Sequence, residues 1–214
     1  MIYVYGILYR DLEYAKKSIQ SIKEFASEPI HFTVIDSRSY RSSEITKYFK
    51  NEIKEGNIDK FLAFKQNVKG EGLTQAYKAF PPDDSEDFFV FTDLDVTVDF
   101  DWIAELRNNQ AIVRGFSLSL INYVEPNGGH NPDFGFGTWL MGINRWAFEN
   151  SYLDKFPYVD SLLLHTLQDH GLILRSPKEL YHLGWDLWKD YPNSFDEKKK
   201  GTNWMSVPND VDLS

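Results

Sequence analysis

The stretch FFVFTDLDVTVDFDW, residues 88–102, decides how the chain is expected to fold. Five largely apolar residues run into Asp93, Leu94 and Asp95, so two carboxylates stand where a buried strand should be stopping. The same rhythm is present upstream. Ile2 to Leu8 is an apolar strand followed by Tyr9-Arg10-Asp11, with Asp11 placed as the N-cap of a helix running to about Phe25. HFTVID is a second strand ending at Asp36, and the polar turn SRSYRSS separates it from a helical pattern between Glu44 and about Lys54. KFLAF is a third strand, followed by the loop QNVKGEG and the helix-like LTQAYKAF, which leads into the quoted stretch. Strands alternating with helices require parallel crossover connections, hence an α/β sheet covered on both faces.

That architecture gives the carboxylates a place. Ligands of open α/β sheets bind outside the carboxyl ends of the strands, and Asp36, Asp93 and Asp95 all fall at such ends. In an extended segment side chains two apart share a face, so Asp93 and Asp95 are expected to point at the same object. Like charges held that close repel unless a cation lies between them. A hard divalent ion with oxygen ligands answers this, above all if a diphosphate supplies the remaining oxygens. Asp-x-Asp alone is a weak signal, because aspartates also end strands and solvate turns. Asp99 or Asp101 is placed to cap the helix WIAELR.

Composition narrows the class. A chain of 214 residues is long enough for one sizeable core, and 42% hydrophobic residues with a mean hydropathy of −0.44 fit neither a disordered nor a membrane-spanning protein. No apolar window approaches the roughly 18 residues needed to span a bilayer, and MIYVYGILYRD is too short and too uncharged at its start for a signal peptide. A cytoplasmic location is expected, with peripheral attachment to a membrane left open. The absence of cysteine excludes disulfides, thiolate metal sites and a cysteine nucleophile. A net charge of −9 argues against general nucleic-acid binding, which draws on clustered lysine and arginine.

The order of the segments resembles the glycosyltransferase family 2 group, from Ile2 to about Trp185. IYVYGILYRDLEYAKKSIQSI is similar to its first strand and helix, and FTVIDSRS to its second strand with a base-recognising aspartate. GLTQAYKAF resembles the helix before the metal strand, and FVFTDLDVTV the Asp-x-Asp strand itself. GFGTWLMGINRWAF looks like the acceptor-side segment, YVDSLLLHTLQDHGLIL the helix bearing the catalytic carboxylate, and YHLGW the strand supplying a metal-binding histidine.

The resemblance implies a GT-A (Rossmann-like) fold: a mostly parallel sheet flanked by helices, with a smaller mixed acceptor-side sheet and a C-terminal tail. Residues 1–190 would form one domain, 1–100 its nucleotide-binding half and 101–190 its acceptor half, with 191–214 as the tail. It further implies inverting transfer of a sugar from a nucleotide diphosphate donor, UDP-linked in most of the group, to a glycan, lipid-linked or other hydroxyl acceptor. Asp36 would bond the base, with the backbone from Gly6 through Tyr9 to Arg10 beneath base and ribose and Arg10 near a phosphate. Lys69 and Gly70, in a loop longer than the family's, would approach the diphosphate. Asp93 would face the ribose or donor sugar, while Asp95, His182 and Asp93 would hold Mn²⁺ or Mg²⁺. Asp160 would be the catalytic base, and Gly137, Trp139 and Trp185 would serve the sugar or acceptor. Val159 departs from the family, which carries a glutamate there beside the catalytic aspartate.

Each assignment has a structural alternative. Asp160 can be a helix N-cap, His182 a strand-edge histidine, and the tryptophans core or rim packing. Three other functions compete. A sugar nucleotidyltransferase shares the sheet and the carboxylate-bound metal, but the loop GILYRD lacks the glycine-rich basic sequence expected after its first strand. A glycoside hydrolase uses two carboxylates but needs no base-binding aspartate. A non-catalytic nucleotide-sugar or carbohydrate-binding protein is kept open by Val159.

Overall fold

The computed structural model describes residues 1–8, 12–37, 43–64, 69–84, 88–108, 113–118, 139–150, 173–183 and 211–213. Four parallel strands form the centre: β1 (Ile2–Leu8), β2 (Ile30–Ser37), β3 (Lys60–Phe64) and β4 (Phe89–Asp93). They stand in the order β3-β2-β1-β4, the arrangement that right-handed crossovers produce when a chain winds outward from its first strand. The connections are α1 (Leu12–Glu24), α2 (Ser43–Lys54) and α3 (Lys69–Ala79). Beyond β4 the chain makes the short β5 (Val96–Thr97), α4 (Trp102–Arg107), β6 (Val113–Leu118), β7 (Met141–Ile143), α5 (Arg145–Asn150) and β8 (Ile173–His182). Among the described residues the full order is β5-β8-β6-β7-β4-β1-β2-β3-β9, with β9 (Val211–Leu213) antiparallel to β3. The half beyond β4 is mixed: β7 runs antiparallel to β4 and β6, and β8 parallel to β6.

The apolar runs read from the sequence are buried on both sides, as parallel strands between helical layers must be. On one face Ile2, Val4, Leu8, Phe32 and Val34 pack with Ala15, Ile19 and Ile22 of α1 and Phe49 of α2. On the other, Tyr5, Ile7, Ile35, Phe89 and Phe91 pack with Leu73, Ala76 and Tyr77 of α3 and Phe148 of α5. Tyr5 is buried with its hydroxyl donating to the Phe80 carbonyl at 2.6 Å, and burial pushes its phenol far above the usual range. Trp102, fully buried, ties α4 to α1 by donating from Nε1 to the Ile22 carbonyl at 2.8 Å. Asp101 caps α4, its Oδ1 accepting from the Ala104 amide at 3.0 Å. Among the described residues no helix is long and apolar enough to cross a membrane.

Three local expectations change. Lys69, Gly70, Glu71 and Gly72 open α3 rather than belonging to a loop, and Glu71 accepts from the Gln75 side chain one turn later. The strand near His182 ends at that residue, with Leu183 in a turn, and its ten residues begin at Ile173. Val211–Leu213, expected within a polar tail, adds a strand to the edge of β3.

Candidate functional site

Parallel strands finish at one edge of the sheet, and that edge is where the candidate residues gather. In register, Leu8 of β1 lies beside Asp36 of β2, and Ile7 beside Asp93 of β4. With β1 between them, the backbones of Asp36 and Asp93 stand two strand spacings apart, about 10 Å. Side-chain alternation gives Asp36 the side of Phe32 and Val34 and gives Asp93 the side of Phe89 and Phe91. A ligand shared by both therefore lies across the sheet's edge, not on one face. Asp36 has no exposed surface, whereas Asp93 is half-buried.

After Asp93 the chain departs from the extended course expected of it. Leu94 and Asp95 form a turn before β5 begins, so the placement of Asp95 relative to Asp93 is set by a turn and not by the period of a strand. Its backbone is held on both sides. The Leu94 amide donates to the Ile7 carbonyl at 2.9 Å, and the Leu183 amide to the Asp95 carbonyl at 2.7 Å. The Leu94 side chain is buried in the core on the α1 and α2 face. β5 then pairs antiparallel with the end of β8, placing Val96 opposite His182. The backbone of His182 thus lies within a residue of Asp95, although 86 residues separate Val96 from His182 in sequence.

Other elements converge on this edge. The crossover from β3 to β4 carries α3 over β1 and β2, and its first turn, with Lys69 and the buried Gly70, starts five residues after Phe64. Helix N-termini present unpaired amides and a positive dipole end, which suit an anion. Trp139 is half-buried against the core, and its carbonyl accepts from Thr92 Oγ1 at 2.5 Å, one residue before Asp93. Gly6 lies inside β1, its open side against Leu94 and Phe32. Tyr9, Arg10, Gly137, Asp160 and Trp185 lie outside the described residues, as do the side chains of Lys69 and His182.

The donor chemistry of the described part fits a hard divalent cation, since Asp93 and Asp95 are half-buried carboxylates flanking one braced turn. Among the described side chains no three histidines or acids converge, so the described portion of such a set is this pair. Sequence reasoning missed Thr92 and Leu94. A threonine in an apolar strand and the middle residue of Asp-x-Asp carry no chemical signature, and their parts depend on what lies across the sheet.

No family model and no curated protein matches the sequence. Solved structures do match. The mannosyltransferase PcManGT from Pyrobaculum calidifontis, in complex with GDP-Man and Mn²⁺, superposes with a TM-score of 0.63 at 13% identity, over 95% of this chain and 65% of that one. S. aureus TarS 1–349 gives 0.59 at 14% identity, over 96% of this chain and 67% of that one. The chain has a GT-A-like fold. A longer S. aureus TarS structure gives a TM-score of 0.56 at 15% identity, and the chain, 88% covered, spans 38% of its length. In the GT-A-like fold of this chain, β7 joins the mixed strands to β4, and the Leu94–Asp95 turn is bonded to Ile7 of β1 and to Leu183 just after β8.

Proposed function

We propose that the chain is a metal-dependent, inverting glycosyltransferase that moves a sugar from a nucleotide diphosphate donor, UDP-linked in our reading, to a hydroxyl acceptor. The observation that carries this is a convergence at one sheet edge. Asp36 and Asp93 stand at the ends of β2 and β4 on either side of β1, the Leu94–Asp95 turn is tied to the end of β8 at His182, and α3 begins above β1 and β2. The likeness to PcManGT, a mannosyltransferase whose structure holds GDP-Man and Mn²⁺, supports a nucleoside diphosphate sugar and a divalent cation.

Asp36 bonds the base, and because it has no exposed surface, a base reaching it displaces what covers it. Tyr9, Arg10 and the backbone from Gly6 lie along base, ribose and phosphate. Lys69 and Gly70 meet the diphosphate at the first turn of α3. Asp93 faces the ribose or donor sugar, and with Asp95 and His182 it holds Mn²⁺ or Mg²⁺. Bound there, the cation would neutralise charge on the departing nucleoside diphosphate. Asp160 takes the proton of the acceptor hydroxyl as its oxygen attacks the anomeric carbon opposite the diphosphate. The new carbon–oxygen bond forms as the bond to the phosphate oxygen breaks, so the configuration inverts and no covalent enzyme intermediate is formed. Gly137, Trp139 and Trp185 serve the sugar or acceptor, the indoles offering flat apolar faces to sugar C–H groups.

Calorimetry with UDP and GDP, each with and without Mn²⁺, tests the reading. Manganese is expected to tighten nucleotide binding to the wild type and to have no effect on Asp95→Ala. A wild type indifferent to manganese, or an Asp95→Ala variant that keeps the manganese effect, refutes the metal site. A preference for GDP changes the base and leaves the reaction class standing.

A further inference from the structure

We propose that Gly6 and Leu94 form the seat that fixes the Asp-Leu-Asp turn, making Gly6 a positioning residue for both carboxylates. This rests on reading Asp93 and Asp95 as the residues that meet the cation and nucleotide. Gly6 sits in the middle of β1, with Val34 of β2 on one side and Thr92 of β4 on the other. A glycine in a central strand loses packing and costs entropy, so its presence marks a close approach. Backbone conformation does not call for it, because among the described glycines positive φ occurs at Gly56 and not at Gly6. Space does. A Cβ built on Gly6 would stand 2.7 Å from Leu94 Cδ2, 3.1 Å from Leu94 Cγ and 2.9 Å from Phe32 Cε1. Leu94, 2% exposed, thus occupies the volume that any other residue at position 6 would claim.

The neighbouring backbone completes the seat. Ile7, next to Gly6, accepts the Leu94 amide at 2.9 Å, so two consecutive residues of β1 hold the side chain and the main chain of Leu94. Leu94 is flanked by the two carboxylates, and Asp95 is fastened in turn to Leu183. A methyl group on Gly6 would press on Leu94 and Phe32, and because Leu94 is buried with its amide held by Ile7, its displacement is expected to carry the turn bearing Asp93 and Asp95. Gly142 of β7 offers a comparison within the same core. A Cβ there would meet Phe88 at 3.2 Å and Leu106 at 3.4 Å, looser contacts that do not touch the turn.

The test pairs amide hydrogen exchange with UDP affinity, measured with and without Mn²⁺. In Gly6→Ala the Leu94 and Leu183 amides are expected to exchange faster, and the manganese-dependent part of the affinity to fall about tenfold. Gly6→Ala/Leu94→Val, which adds one carbon and removes another, should restore both. Gly142→Ala, equally a core glycine, should keep the manganese effect even where its melting temperature falls. Should Gly6→Ala not fold, Leu94→Ala, which empties the seat, is expected to speed the same two amides. Wild-type exchange and affinity in Gly6→Ala, no recovery in the double variant, or an equal loss in Gly142→Ala overturns the proposal. Faster exchange at Leu94 and Leu183 in Gly6→Ala, with a wild type that ignores manganese, supports the seat and overturns the reading of the carboxylates.

Discussion

Thr92→Val isolates the bond that joins Trp139 to β4. Thr92 is buried in β4, and its hydroxyl donates to the Trp139 carbonyl at 2.5 Å, with the Asp93 carbonyl 3.1 Å away. Valine keeps the shape and removes the donor. Loss of the net bond alone costs about 0.5–1.5 kcal/mol, and a carbonyl left dry costs about 1–3 kcal/mol. Trp139 is half-buried, so water compensates its carbonyl in part, and the expected cost is about 1–2 kcal/mol. In a domain of this size each kcal/mol lowers Tm by about 2–4 °C. Differential scanning calorimetry reads that shift, and calorimetric titration with UDP and Mn²⁺ reads the displacement of Asp93. Thr92→Ser separates the two effects. It loses a methyl group and some stability but keeps the tie, so nucleotide affinity should remain that of the wild type while Thr92→Val weakens it. Thr92→Val with unchanged Tm, or Thr92→Ser with the same loss of affinity, refutes the reasoning.

Asp160→Asn should leave nucleotide binding intact while sugar transfer, followed by nucleotide release with an acceptor present, collapses; an unchanged rate leaves Asp160 with a capping role alone. Asp101→Ala removes the N-cap of α4 and the acceptor of the Ser27 hydroxyl at 2.8 Å, and should cost about 1 kcal/mol in urea denaturation. Glu28 is held below the usual carboxylate range, first by its hydrogen bond from Arg107, which grips it at 2.5 and 2.8 Å. Because the folded-state value is depressed, this contribution is complete above the unfolded glutamate pKa near 4.3 and disappears as pH falls through the lower folded-state value. With both side chains about a third exposed, screening holds it to about 0.5 kcal/mol, so wild type and Glu28→Gln should converge in stability once the pH has fallen below the depressed folded-state value.

The parallel half of the fold was legible because its strands are buried on both faces and must be written as apolar runs. Ile2–Leu8 and Lys60–Phe64 have the limits that those runs mark. The first turn of α3 was hidden, since Lys69-Gly70-Glu71-Gly72 has the composition of a loop while its amides need no partner within the helix. β6, β7 and β8 were harder still. Ile173–His182 carries Pro177 in its interior, a residue that argues against a strand by itself, and its pairing with β6 shifts register between Gly115 and Ser117. The cap of α5 does carry a local signal, Asn144, whose Oδ1 accepts from the Ala147 amide at 2.8 Å.

The site divides along the same line. Its candidate carboxylates stand out because charge at the end of an apolar run is costly and therefore conspicuous. Their geometry could not, because nothing within DLD distinguishes a strand's alternation from a turn. The distinction is made by Gly6, 87 residues upstream of Asp93, and by Leu183, 88 residues downstream of Asp95. One acts on the middle of the motif through the Leu94 side chain, the other on its last residue through the Asp95 carbonyl. The turn is therefore joined to both halves of the chain at the position where the proposed chemistry needs two carboxylates held still. A substitution that loosens this join is expected to weaken nucleotide binding in manganese before it lowers the stability of either half.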